Sequence, residues 1–190
     1  ANDWQGNLAD PVYLPFIDHV SLKSAGIDGV KDVFGGIYLK KCGYVDLPEL
    51  IASSRNYFTS MGVYRQEVFQ YQSLTFLKDK VQYKDIEAEK VIFCEGPRVN
   101  NNPFWCDLPF KPVKGEIIKI SADLPNDLVI NRGVFIVPKH DGFSVGSTYD
   151  HANLDYEPTE KGINELKNRL DKLFDGSYEL LTKVAGIRPA

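Results

Sequence analysis

Apolar and polar positions change their spacing several times along the chain, and each change predicts an element. Leu47, Leu50, Ile51, Phe58 and Met61 recur at helical intervals, with Ser54 on the same side, so residues 47–61 read as an amphipathic helix with one face packed inward. Asp46 stands where a cap accepts from the first free amides, Pro48 is tolerated in the first turn, and Glu49 completes a capping-box spacing. Gly62 ends the helix. Ile163, Leu166, Leu170 and Leu173 form one face of a second helix, capped by Thr159. Between the two helices the period shortens. Strands are predicted at 63–69, 74–76 and 80–83, the last two a hairpin turning near Lys78-Asp79. The run Lys90-Val91-Ile92-Phe93-Cys94 lacks polar alternation and reads as a strand buried on both faces, with Cys94 a core thiol.

Residues 114–121, 128–137 and 143–147 alternate or run apolar, with turns at Pro125-Asn126 and His140-Asp141-Gly142, and together predict an antiparallel meander. A strand is expected within Phe34–Leu39 and a final one at Lys183–Ile187. The first thirty residues are loop-rich, with short helical pieces expected around Asp18 to Ala25. The fold class is therefore α+β.

Composition narrows the function classes. The 190 residues are 43% apolar and 25% charged, ordinary for a soluble globular domain. A net charge of -4 with scattered Lys and Arg excludes a phosphate-collecting stripe, so no nucleic-acid partner is expected. Apolar runs are broken by charges every few residues, so no membrane span is expected, and Ala1 to Gly6 has neither the basic start nor the apolar stretch of a signal peptide. Cys42, Cys94 and Cys106 show neither a C-x-x-C pair nor metal spacing with His19, His140 or His151. An odd, unframed count fits a reducing compartment, the cytoplasm, and no metal site.

Chemistry-bearing motifs are scarce. No Ser-His-Asp or Cys-His arrangement stands out, and neither G-x-G-x-x-G nor G-x-x-x-x-G-K occurs, so no phosphate cradle of the usual kind is present in these residues. Tyr38, Tyr44 and Tyr149 could line a pocket but read first as structural aromatics, and Phe104, Trp105 and Phe110 read as packing. For Lys114-Gly115-Glu116 two readings stay open: a turn beside a cofactor, or a strand start with its charges in solvent.

Five segments, in order, carry more. Phe34-Gly35-Gly36-Ile37-Tyr38 with Gly43-Tyr44-Val45-Asp46-Leu47-Pro48-Glu49-Leu50 resembles a glycine-rich strand followed by a "G-x-V-D-P" helix start. Val91-Ile92-Phe93-Cys94-Glu95-Gly96 resembles a "V-V-x-A-x-G" strand, and Leu108-Pro109-Phe110-Lys111-Pro112-Val113-Lys114-Gly115-Glu116 an "L-P-x-x-P-x-R-G-Q/E" segment. Phe135-Ile136-Val137-Pro138 with Asp141-Gly142-Phe143-Ser144-Val145-Gly146-Ser147-Thr148 is similar to "Y-x-V-P-x-x-D-G-x-x-x-I-G-A-T". Ala185-Gly186-Ile187-Arg188-Pro189 matches "A-G-L/F-R-P". These segments resemble the FAD-dependent oxidoreductases of the D-amino-acid oxidase and glycine oxidase superfamily, over residues 34–190.

The resemblance implies an antiparallel-sheet substrate lobe from residues 1–61 and 109–190, with flanking helices, and at 62–108 a fragment of the FAD-binding α/β lobe. A dinucleotide-binding segment would precede the chain and a closing segment would follow it, so residues 63–108 are expected to be the less well-buried part. It implies FAD contacts at Val68, Glu95, Gly96, Lys114, Gly115 and Gly146, and substrate contacts at Arg188 and Phe135. The arginine of this motif holds a substrate carboxylate as a bidentate pair. Phe135 departs from the family's tyrosine and can only pack. The whole enzyme would oxidise a small amine or amino acid, FAD carrying the hydride chemistry, which accounts for the lack of a conspicuous catalytic acid or base. The fragment alone would be inactive. A 2-hydroxy-acid or glycerol-phosphate dehydrogenase and a non-catalytic binding module are the alternatives, and oligomeric state is left open.

Overall fold

A computed structural model of the chain describes residues 10–190; the reading of Ala1 to Gly6 lies outside them. Contacts divide the chain into two compact units, the described part of Ala1–Tyr44 with Val113–Ile187, and Val45–Pro112 with Arg188–Ala190. The division groups the helix after Asp46 with residues 62–108 and not with the sheet.

The first unit is built on a five-stranded sheet. Its strands are β6 (Val113–Ala122), β7 (Ile130–Asn131), β8 (Phe135–Lys139), β9 (Gly142–Gly146) and β10 (Tyr178–Arg188), in the order β10-β6-β9-β8-β7. The expected simple meander is corrected here, because β6 pairs antiparallel with β9 and leaves β7 at the far edge. The 123–129 connection, with its Pro125-Asn126 turn, carries the chain to that edge. A separate two-stranded sheet pairs β1 (Ile17–Ser21) with β2 (Gly36–Leu39), so the helical pieces expected around Asp18 to Ala25 are replaced by a strand.

Side-chain alternation gives the five-stranded sheet two faces. Ile118, Ile120, Ile136, Phe143 and Val145 lie on one, buried against Ile163, Leu166 and Leu170 of helix α2 (Glu160–Leu170) and against Leu173 and Phe174. All four residues assigned from sequence to the inner face of this helix are buried, but Leu173 lies in the turn that follows it. Thr159 caps it by accepting from the Gly162 amide at 3.0 Å. The other face carries Ile117, Lys119, Phe135 and Val137, all half-buried, with Gly146 and Ser144 between them in register.

The second unit holds helix α1 (Leu47–Ser60) and a three-stranded antiparallel sheet of β3 (Leu74–Phe76), β4 (Val81–Tyr83) and β5 (Ile86–Ala88). Asp46 caps α1 as its spacing implies, accepting from the Glu49 amide at 3.3 Å. The face predicted to pack inward does not do so among the described residues: Leu47, Leu50, Ile51, Phe58 and Met61 are all exposed. Two predicted strands are likewise corrected. Residues 63–69 and 90–94 form no ladder, Ile92 is 82% exposed, and Cys94 lies at the surface instead of in a core. Across 63–108 only Leu74, Tyr83 and Asn102 are buried. What organises this unit is an aromatic cluster. Phe69 stacks on Tyr83 with ring centres 4.3 Å apart, and Phe93 and Phe104 stack at 5.9 Å. Tyr71 and Phe76 meet the Phe104 ring edge-on.

Candidate functional site

In the first unit the structure brings Phe135 and Gly146 together. They are direct partners across β8 and β9, and Gly146 also faces Ile117 across β9 and β6. A Cβ added at Gly146 would stand 2.9 Å from Ile117 Cγ1 and 2.9 Å from Phe135 Cζ, so the missing side chain lets the ring lie over the strand.

Lys114 and Glu116 begin β6 on the sheet face that carries the core, while Gly115 between them is half-buried on the other. The reading of this segment as a strand start with its charges in solvent is corrected: it lies in β6, but both charges are inside the protein. Lys114 is 0% exposed, and its ammonium donates to Asp155 Oδ1 and to the Glu157 carbonyl, each at 2.5 Å. Glu116 Oε1 lies 3.8 Å from it. The Glu116 carboxylate accepts from the Thr159 hydroxyl at 2.9 Å and from the Thr159 amide at 3.2 Å, at the N-terminus of α2 where the helix dipole favours an anion. Hydrogen bonding to Asp155 holds the Lys114 ammonium above its ordinary pKa, and the same bond holds the Asp155 carboxyl below its own. Charge is thus used to tie β6 to the segment that enters α2, a role that sequence spacing did not reveal because Asp155 and Glu157 lie some forty residues away.

In the second unit Glu95 and Gly96 form a turn. Gly96 has a left-handed φ of 57° and opens the 3-10 helix Gly96–Asn101. Among the described residues no atom lies within 4 Å of where its Cβ would stand. The Glu95 carboxylate accepts from the Tyr71 hydroxyl and, at 2.6 Å, from Asn102 Nδ2. This hydrogen bond to an anion pushes the Tyr71 phenol up. Sequence reasoning missed Tyr71 and Asn102, since neither belongs to a matched segment. Val68 lies on the unpaired 63–69 stretch, 85% exposed, apart in sequence from that turn. Arg188 is the last residue of β10 and is exposed.

Comparison with known proteins gives these placements a frame. A family model described as FAD dependent oxidoreductase matches residues 13–190. Glycine oxidase of Pseudomonas aeruginosa is 30% identical over 110 residues, covering 55% of this chain and 28% of that protein. Glycine oxidase of Pseudomonas putida is 37% identical over 89 residues, covering 44% and 24%. The crystal structure of glycine oxidase from Geobacillus kaustophilus is similar with a TM-score of 0.66 at 24% identity, over 83% of this chain and 46% of that one. That of Bacillus cereus glycine oxidase is similar with a TM-score of 0.66 at 19% identity, over 99% and 56%. At these identities the structural likeness speaks for the fold, and the chain spans about half the length of the solved relatives. With the family model running from Tyr13 through the mixed helix and antiparallel sheet to the end of β10, the chain belongs to the FAD-dependent oxidoreductase family, DAO.

Proposed function

We propose that the protein carrying this chain oxidises the carbon–nitrogen bond of a small amine or amino acid. The observation that carries the reading is the match to two curated glycine oxidases, together with the arginine that ends β10. Bound FAD would supply the hydride acceptor for this oxidation. Each unit by itself offers residues that would suit such a group. Gly96 offers backbone with open space beside it, and Val68 presents an exposed apolar surface. Gly115 faces away from the buried Lys114 and Glu116. Lys114 and Glu95 would serve the cofactor indirectly, because their charged groups are engaged inside their own units. Gly146 would act through the Phe135 ring that it admits.

On the substrate side, Arg188 would clamp a carboxylate with its planar fork. Phe135 has no hydroxyl to share the carboxylate, so the reading favours an amine or an amino acid held by the guanidinium alone. Cytoplasmic location is part of the same reading, supported by three unpaired cysteines; no helix among the described residues is long and apolar enough to cross a membrane.

The test is anaerobic flavin reduction in the full-length protein. Glycine-like amino acids, simple amines, 2-hydroxy acids and glycerol phosphate are offered in turn. Bleaching of the oxidised-flavin band by an amino acid or amine is the expected result. Bleaching only by a hydroxy acid or glycerol phosphate would replace this reading with the dehydrogenase one.

A further inference from the structure

We propose that Tyr71 and Asn102 are positioning residues for the cofactor: they hold both oxygens of the Glu95 carboxylate and thereby fix the Glu95–Gly96 turn against which FAD seats. The inference rests on the FAD reading above but concerns residues that no matched segment contains. All of them lie in the second unit.

The turn needs an external brace. Gly96 sits at φ 57°, a conformation that glycine adopts at no steric cost but that it also leaves readily. The residues on its N-terminal side, 90–94, form no ladder with other described residues that could hold it. Bracing comes instead from the Glu95 side chain. Its Oε1 accepts from the Tyr71 hydroxyl and its Oε2 from Asn102 Nδ2 at 2.6 Å. Bonds to an ionised acceptor are about twice as strong as neutral ones.

Both donors are themselves held. Asn102 is fully buried, and its Oδ1 accepts from the Phe104 amide at 2.9 Å, so its amide is oriented with the nitrogen toward Glu95. The Asn102 backbone N–H donates to the Val99 carbonyl at 3.0 Å, closing the 3-10 helix that Gly96 opens. Tyr71 packs edge-on to Phe69 and Phe104, which fixes its ring and aims its hydroxyl. A buried amide and a phenol from opposite sides of the sequence thus converge on one carboxylate. The open space lies at the next residue, Gly96. A flat ligand seated there would meet backbone in one conformation only while the brace is intact.

The experiment titrates the full-length apoprotein with FAD and follows flavin fluorescence, with the thermal midpoint of each apoprotein measured alongside. Tyr71→Phe removes a hydroxyl and leaves the aromatic cluster in place; Asn102→Ala removes the second donor. Each is expected to raise the Kd for FAD about tenfold, the order that one hydrogen bond to a charged group supports. The double variant is expected to lose less than the product of the two, because both act through Glu95. Gly96→Ala is compared with Gly62→Ala, a left-handed glycine at φ 70° with equal room around it. The two carry the same backbone strain, so only Gly96→Ala should weaken FAD binding. If Asn102→Ala does not fold, Tyr71→Phe and the glycine pair decide. A Kd within twofold of wild type for Tyr71→Phe, or equal Kd values for the two glycine variants, would overturn the inference. A wild-type protein that binds no FAD would instead overturn the reading beneath it.

Discussion

Phe135 and Gly146 face each other across β8 and β9, and the Phe135 ring occupies the volume that a side chain at 146 would need. Ile117 closes the same space from β6, with its Cγ1 2.9 Å from the position of a Cβ at 146. Neither neighbour is a flexible tip, so Gly146→Ala must displace a ring or a β-branched side chain. Overpacking of this kind costs about 1–3 kcal/mol. Phe135→Leu should recover part of that loss, and denaturant unfolding of the two single variants and the double variant measures the coupling.

The Thr159 hydroxyl serves two partners at once. It accepts from the Gly162 amide as the cap of α2 and donates to the Glu116 carboxylate. Thr159→Ala removes both, and the combined loss of a cap and a charged hydrogen bond is expected to be about 2–4 kcal/mol. Asp46→Ala removes a cap from the exposed helix α1, where about 0.5–1 kcal/mol is expected. Equal urea midpoints for the two variants would show that the Glu116 bond contributes nothing.

Lys114 and Asp155 give the first unit a pH signature on both sides of neutrality. The Asp155 carboxyl lies below its ordinary 3.8 because Lys114 and the Glu157 amide donate to it. Its contribution is complete above the unfolded value and is lost as pH falls through the lower folded one. The Lys114 ammonium lies above its ordinary 10.5, first through Asp155, so its contribution is complete below that value and is lost as pH rises through the higher folded one. The stability difference between wild type and Asp155→Asn should therefore be flat from about pH 5 to about pH 9 and shrink below about pH 4. A difference that grows on acidification would contradict the sign of the Asp155 shift.

Where the sequence was a good guide, the partner of each element lay inside the described residues. Helix α2 was legible in its cap and buried face, though it ends at Leu170, before Leu173, because Ile163, Leu166 and Leu170 share one core with Ile118, Ile136 and Val145 of the adjoining sheet. Helix α1 has an equally regular pattern and a working Asp46 cap, yet its apolar face stands exposed. Periodicity reports that a face is apolar, not what covers it. The 90–94 run misled for a related reason: an uninterrupted apolar stretch reads as a buried strand only when other strands flank it, and among the described residues none pairs with it. Of the candidate site, matched segments located Phe135, Gly146 and the Glu95–Gly96 turn. The Lys114–Asp155 pair and the Tyr71–Glu95–Asn102 brace join residues too far apart in sequence for spacing to reveal.

The 190 residues contain neither G-x-G-x-x-G nor another glycine-rich phosphate loop. Pyrophosphate binding needs converging amides at a helix N-terminus, and those motifs are the usual way to supply them. A preparation of these residues alone is therefore expected to be colourless and to gain no flavin absorbance after incubation with FAD and gel filtration. A yellow, stoichiometric complex would show that the described residues hold the cofactor by other means.

Arg188, an exposed residue, ends β10, and its proposed task is to hold a substrate carboxylate through two parallel donors. Hydrogen bonds to charged groups contribute roughly 1.5–3 kcal/mol, and a bidentate pair in a dry site lies at the upper end. Lysine keeps the positive charge but loses the planar fork. Arg188→Lys in the full-length enzyme should thus lower kcat/KM by about one to two orders of magnitude, since each ~1.4 kcal/mol is a factor of ten. The loss should be confined to substrates that carry a carboxylate, because an amine without one never used the fork. Phe135→Tyr supplies a hydroxyl on the sheet face beside Gly146 and should help carboxylate substrates most. Steady-state kinetics on matched substrate pairs, with and without the carboxylate, separate the two roles open to Arg188. A loss confined to the carboxylate member marks a clamp, whereas equal losses on both members would assign Arg188 to the fold or the cofactor and leave the substrate carboxylate to another group.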